Sequence, residues 1–244
     1  MKYTELFERY EMKFMLGKEQ KALLIKAMDG HMRLDSYGRT TIRNIYFDTS
    51  DMRLIRTSLD KPVYKEKLRM RSYMRVGEDD MVFVEIKKKF SDVVYKRRLA
   101  LPEKEAMLWL NREIERPLDT PIAKEIDYML GYYGDLAPAC FLSYEREAYE
   151  DMSGSDLRIT LDENITARDR MMSLTLGAWG SRVMPPELTL LEIKSSGSYP
   201  MWLVRFLSDN GIRKTSFSKY GEYYSKVLLR KAEEHEMKGG LLYA

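Results

Sequence analysis

The feature that most constrains this chain is a two-residue alternation of polar and apolar side chains, repeated from one end to the other. It runs through "FERYEMKFML" (7–16), "TTIRNIYFD" (40–48), "VYKEKLRMRSYMR" (63–75), "MVFVEIKKK" (81–89) and "DVVYKRRLAL" (92–101). It returns in "ACFLSYEREAYE" (139–150), "LRITLDENI" (157–165) and "ELTLLEIKSS" (187–196). Successive side chains of a strand point to opposite faces, so this period predicts about eight β-strands, each with one polar and one apolar face. Short polar turns such as "GEDD" and "KFSD" predict antiparallel hairpins. Helical patterns fill the gaps at 18–28, 103–114, 122–133, 199–211 and 218–238, the last a long amphipathic C-terminal helix. The stretches 152–156 and 177–187 read as loops. With no repeat and no linker in view, residues 1–244 are expected to form a single α+β domain of antiparallel strands decorated by helices.

Composition adds bounds. A chain with 44% hydrophobic and 11% aromatic residues can bury a core. Its formal charge of +3 is too small to argue for nucleic acid by itself, so the placement of charge matters more than the total. One cysteine, Cys140, excludes an internal disulfide framework and fits a reducing compartment. Met1 leads directly into "KYTELFERYEMKF" without an apolar signal region, and no apolar run approaches the roughly 18 residues of a membrane span. The expected location is the cytoplasm.

Several chemistries drop out. His31 and His235 sit among charges, which argues against histidine acid–base catalysis or a histidine zinc site. Cys140 opens an apolar strand and reads as a small core residue. Nucleophile-elbow, P-loop and dinucleotide-binding glycine motifs are absent. The remaining chemistry rests on Arg, Lys, Glu, Asp, Ser and Tyr, a set suited to phosphate.

The polar parity carries the signal. It collects Arg9, Glu11 and Lys13; Lys67, Arg69 and Arg71; Glu85, Lys87 and Lys89; Lys96 and Arg98; Tyr144 and Arg146; Arg158, Thr160 and Asp162; and Glu192 and Lys194. A sheet with one wet face is the plain explanation for any single strand. Taken together, however, these positions are mostly cations with an occasional glutamate. The helices could cover the apolar face, leaving the charged face to line the inside of a closed antiparallel β-barrel of about eight strands. Such a basic tunnel is costly when empty and favourable once a polyanion enters. Arginine suits bidentate phosphate contact, and a carboxylate among cations can hold Mg²⁺ or Mn²⁺.

The ordered motifs "ERYEMKF", "IYFDT", "KLRMRSY", "VFVEIKKK", "VYKRR", "SYEREAY", "LRITLDENI", "LLEIKSSG" and "FSKYGEYY" resemble the VTC domain, over roughly residues 5 to 230. That family makes inorganic polyphosphate and is grouped with the CYTH-like triphosphate tunnel metalloenzymes. The resemblance implies the basic tunnel, with the C-terminal helix near one of its ends, and a stand-alone, prokaryote-like form. It implies roles for Lys13, the pair Arg69 and Arg71, Glu85 with Lys87, Arg146, Arg158 and Lys219 in gripping phosphate, and for Glu192, with Lys194 beside it, as the metal carboxylate. Ser218, at the expected N-cap of the C-terminal helix, would add a hydroxyl contact, and Lys96 and Arg98 would join the lining. The first strand departs from the E-x-E-x-K signature of the hydrolase branch, since Glu8 and Glu11 are differently spaced.

The expected activity is therefore an ATP-dependent polyphosphate polymerase using Mn²⁺ or Mg²⁺, with ATP and polyphosphate or triphosphate as ligands. Further protein partners stay unidentified. Nucleic acid is not expected, because aromatics do not interleave with the basic stripe. A metal-dependent triphosphate or nucleoside triphosphate hydrolase and a non-catalytic polyphosphate-binding module stay open as rivals. Glu11 is left between pairing with Lys13 and a metal role, Asp162 between ending a turn and acting as a ligand. Asp48 is expected to cap a short helix, and Tyr46, Tyr73 and Tyr144 to pack with hydroxyls at a rim.

Overall fold

The computed structural model describes residues 10–91, 93–232 and 234. Expectations on Glu8, Arg9, His235 and the helix beyond 234 lie outside the described residues. The strands are β1 (Tyr10–Leu16), β2 (Met32–Asp48), β3 (Tyr64–Tyr73), β4 (Met81–Phe90), β5 (Val93–Pro102), β6 (Ala137–Asp151), β7 (Arg158–Arg168), β8 (Ser181–Arg182) and β9 (Thr189–Ser195). The helices are α1 (Lys18–Met28), α2 (Arg53–Leu59), α3 (Glu103–Leu110), α4 (Pro121–Tyr133), α5 (Met201–Asp209) and α6 (Lys219–Tyr223), the last running into a π-helical turn at Tyr224–Leu228. Local chemistry explains several boundaries. Thr120 caps α4 by accepting from the Ala123 amide at 3.2 Å, with Pro121 in the first turn. Asp48 accepts from the Leu54 and Ile55 amides at 2.7 and 3.0 Å and so caps α2, as its sequence position suggested.

The fold is α+β, built on one large sheet in the order β1-β9-β7-β6-β2-β3-β4-β5, with β8 pairing to β7. The β1–β9, β7–β9, β2–β3, β3–β4 and β4–β5 pairs are antiparallel. The expected closed barrel is not formed. Among the described residues β1 and β5 end the ladder without pairing to each other, so strand closure encloses no tunnel. The reason is at the edges. The outer side of β1 is already engaged, since Phe14 bridges to Lys214 and the Thr215 amide donates to the Lys13 carbonyl at 2.8 Å. β5 presents exposed Lys96, Arg97 and Arg98, charges that discourage strand pairing at an edge.

The chain divides into two compact units, with β2, β6 and β7 running through both. The first takes residues up to Thr41, Tyr144–Ile165 and Met184–Phe217. Its core gathers Phe14, Leu24, Ile159, Leu161, Leu191, Ile193, Leu203 and Phe206. The second takes Ile42–Ser143, Thr166–Val183 and the chain from Ser218 on. There α3 and α4 supply Trp109, Ile126 and Leu130 to a core shared with Leu68, Met70, Val84 and Ile86. The strand side chains in both cores are those of the predicted apolar parity. Cys140 is buried, and burial pushes its thiol pKa well up, in keeping with a core role. No helix among the described residues is long and apolar enough to cross a membrane.

Candidate functional site

In the second unit, antiparallel register turns the sequence parity into rows. Tyr46, Arg69, Glu85 and Arg98 are successive cross-strand partners on β2 to β5, and Lys67, Lys87 and Lys96 form the next row on the same face. Like charges directly opposite one another are destabilising, so a row of three lysines is a cost carried by the sheet. Glu85 relieves part of it. Its carboxylate is 1% exposed. Arg69 Nε and Nη2 lie 2.7 and 2.6 Å from Oε2, Arg71 Nη1 lies 3.8 Å from Oε2, and Lys96 Nζ lies 2.8 Å from Oε1. Burial alone would raise the Glu85 pKa, but Arg69, Arg71 and Lys96 overcome it and hold it at about 2. Lys96 pays the reciprocal cost. Loss of hydration, with repulsion from Arg69 and Arg71, brings its ammonium down to about 8 against the attraction of Glu85.

The two arginines are fixed by neutral groups as well. Arg69 Nη1 donates to the Tyr46 hydroxyl at 3.1 Å, and its guanidinium sits over the Tyr46 ring at 5.8 Å. Arg71 Nε donates to Asn44 Oδ1 at 2.9 Å, while Asn44 Nδ2 donates to the Leu142 carbonyl. Tyr46 stacks on Tyr220, whose hydroxyl donates to Asp48. Arg98 lies over the Phe83 ring at 4.6 Å. Ser218 is the N-cap of α6, accepting from the Gly221 amide at 3.2 Å, and Lys219 is the first residue of that helix.

In the first unit, Lys13 pairs in register with Glu192 and Glu11 with Lys194, and β7 adds Thr160 opposite Glu192 and Arg158 opposite Lys194. Arg146 grips Asp162 through Nε and Nη2, each at 2.6 Å, and Nη2 also lies 3.1 Å from Glu192 Oε2. Lys13 Nζ sits 3.4 Å from Glu11 and 3.6 Å from Glu192, and donates to the Phe217 carbonyl at 3.0 Å. Lys194 Nζ is 3.6 Å from both glutamates. Burial works against the charge on Arg146, yet Tyr144, Asp162 and Glu192 hold its pKa well above the ordinary value. Arg158 stands apart: it is exposed, with Glu150 at 3.9 Å.

The two groups differ in charge balance. Around Glu85 one carboxylate faces three cations; around Glu192 three carboxylates, Glu11, Asp162 and Glu192, face Lys13, Arg146 and Lys194. Among the described residues no set of three or more His, Cys, Asp or Glu side chains is arranged to hold a metal ion. The donors around Glu192 are hard carboxylate oxygens, which suit a magnesium- or manganese-type ion that takes one or two carboxylates and completes its shell with phosphate oxygens and water.

The structure thus brings together Lys13, Glu11, Arg146, Glu192 and Lys194 in one unit, and Arg69, Arg71, Glu85 and Lys96 in the other. Lys87 and Arg98 share the basic face there, Arg158 points outward, and Ser218 and Lys219 lie at the start of α6. Three participants were passed over or undervalued in the sequence. Asp162 is a buried partner of Arg146 rather than the end of a turn, Asn44 orients Arg71, and Tyr46 orients Arg69. The parity of Asp162 with Arg158 and of Asn44 with Tyr46 was the available signal.

The family model of the VTC domain matches residues 8–228. Among solved structures, the chain is similar to a Bacillus halodurans protein provisionally named an adenylate cyclase, with 17% identity, coverage of 85% of this chain and 92% of that one, and a TM-score of 0.53. A Vibrio parahaemolyticus protein of the same provisional name shares 11% identity over 88% of this chain and 96% of that one, with a TM-score of 0.46. A Pyrococcus horikoshii protein shares 15% identity over 92% and 98%, with a TM-score of 0.44. The first likeness shows a shared fold. No curated protein matches the chain.

Proposed function

Because this chain belongs to the VTC domain family, we propose that it is an ATP-dependent polyphosphate polymerase, in which residues 1–244 act as one catalytic domain. The observation that carries the proposal is the cross-strand basic face around Glu85, where Arg69, Arg71 and Lys96 share one buried carboxylate and Lys67 and Lys87 stand in the next row. That excess of cations is suited to a chain of phosphates. Arg69 offers a planar fork whose angle is set by Glu85 and Tyr46, a pre-organised geometry suited to phosphate oxygens. Lys87 and Arg98 on the same face, and Lys219 at the start of α6 in the same unit, supply further positive charge.

In the unit around Glu192, Lys13, Arg146 and Lys194 would hold phosphate oxygens while Asp162 keeps Arg146 oriented. Glu192, with Glu11, would hold Mn²⁺ or Mg²⁺, which when bound neutralises charge on the phosphates. In the transfer itself, a terminal oxygen of the acceptor chain attacks the γ-phosphorus. The bond to the β–γ bridging oxygen breaks, and ADP leaves as an anion. The attacking oxygen is already ionised, so no side chain has to remove a proton. Positioning and charge stabilisation carry most of such a reaction.

The test uses the purified full chain with ATP and Mn²⁺ or Mg²⁺, with and without a short polyphosphate primer, beside Glu192→Ala. Long chains with matching ADP from the unaltered protein alone are the expected result. Free phosphate without chains would instead assign a hydrolase, and bound polyphosphate without turnover a binding module.

A further inference from the structure

The ends of β3, β4 and β5 leave apolar side chains in water that neither the core nor the phosphate chemistry explains. Val63 is 64% exposed and Phe90 57%, with Tyr64, Val94 and Tyr95 also exposed. Register places them together. Tyr64 is the cross-strand partner of Phe90, Phe90 of Val93, Lys89 of Val94 and Lys88 of Tyr95, and the Ser91 amide donates to the Val63 carbonyl at 2.7 Å.

Two properties of this tip narrow what could cover it. Its exposed apolar side chains project from both faces. Tyr64, Phe90 and Tyr95 share the parity of the core residues Leu68, Ile86 and Leu99, whereas Val63 and Val94 share the parity of the basic rows. A protein docking on one sheet face would leave half of them wet; a medium that surrounds the tip would not. The tip also carries a lysine cluster. Lys65 and Lys89 are direct cross-strand partners, and loss of hydration followed by repulsion from Lys89 and Lys61 lowers the Lys65 pKa. Lysine is depleted in protein–protein interfaces, but beside exposed Phe and Tyr it is the pattern of surfaces that settle into the headgroup region of an anionic bilayer.

We propose that the β3–β4–β5 tip docks the protein on an anionic phospholipid surface, with Phe90, Val63 and Val94 entering the acyl boundary and Lys61, Lys65 and Lys89 facing lipid phosphates. This is attachment to one leaflet, independent of the polymerase assignment: either can fail while the other stands.

The experiment is co-sedimentation of the full chain with phosphatidylcholine vesicles and with vesicles of equal parts phosphatidylcholine and phosphatidylglycerol, in about 0.1 M salt. Partition to the anionic vesicles alone, weakening with added salt, is the expected result. The pair Val63→Ser with Phe90→Ser should lower the partition coefficient at least roughly tenfold. The pair Lys61→Gln with Lys65→Gln should lower it by roughly fivefold per lysine. Thermal unfolding monitored on each variant confirms that the tip alone has changed. Equal binding to neutral vesicles, no binding to anionic ones, or binding untouched by the Val63 and Phe90 substitutions would each overturn the proposal.

Discussion

The carboxylates Glu85 and Glu192 occupy comparable settings, each within its own unit on a polar-parity position of an antiparallel strand amid Arg and Lys, yet they answer different electrostatic needs. Glu85 is one carboxylate shared by Arg69, Arg71 and Lys96, whose charges hold its pKa at about 2 against the effect of burial. Glu192 shares its cations with Glu11 and Asp162, and Asp162 takes the two shortest bonds to Arg146. In one group three cations share a carboxylate, while in the other three carboxylates stand among three cations. The same residue type is a structural counter-ion in one place and a candidate ligand in the other, and the difference lies in how many acids stand nearby.

The largest effect expected is on stability. Removing one partner from a buried ion group leaves uncompensated charge, so Glu85→Ala should lose about 3–5 kcal/mol in chemical denaturation. Glu192→Ala should lose less, because Asp162 and Glu11 continue to serve Arg146 and Lys13, while chain synthesis falls below detection. Equal losses of stability from the two substitutions would erase the contrast between the units.

Arg69→Lys comes next. Lysine keeps the charge but cannot hold Glu85 through two nitrogens while donating to Tyr46 through a third. Charge-assisted hydrogen bonds contribute about 1.5–3 kcal/mol, so kcat/KM for polyphosphate synthesis should drop by roughly 10- to 100-fold. Undiminished synthesis would mean that the fork is not what grips phosphate. Asp162→Asn is milder. The amide preserves shape and one acceptor, so Arg146 shifts its weight to Glu192, and half-maximal activity should require a few-fold more Mn²⁺, about 1 kcal/mol. An unchanged metal requirement would show that Asp162 does not limit the hold of Arg146 on Glu192.

Much of this contrast could be read in the sequence, and the gaps have physical causes. Alternation located Arg69, Glu85 and Glu192 because the opposite face of their strands is buried, which makes period two visible. The first half of β2, "MRLDSYGRT", is largely exposed on both faces and shows no such contrast, so the strand begins eight residues before the predicted position 40. α2 is only 7 residues long, too short for a helical period, and only its cap at Asp48 was legible. Barrel closure was inferred from strand number and charge. It depends instead on which edge is free, and the Lys214–Thr215 segment that engages β1 carries no periodic signal of its own. Asp162 was undervalued because a carboxylate near the middle of a strand looks like a turn former until Arg146, on another strand, is placed beside it.

The smallest effect separates the units by pH. With its pKa near 8, Lys96 is charged at pH 7 and mostly neutral at pH 9, so metal-free binding of tripolyphosphate should weaken by about fivefold across that interval, the loss of one charged contact. Lys96→Met should show the weaker affinity already at pH 7, with a flatter profile. For stability the sign reverses: an unfolded lysine keeps its proton to about pH 10.4, so between 8 and that value the unfolded chain binds more protons, and the contribution of this group improves as pH rises. Glu85 acts at the other end. Its folded pKa lies below the ordinary 4.5, so its stabilisation is complete above that value and is lost as pH falls toward 2. Acid unfolding of Glu85→Gln should lack that component. If Lys96→Met left the slope between pH 7 and 9 intact, the titrating group would lie elsewhere, and the surplus charge assigned to the Glu85 group would not be what receives the phosphates.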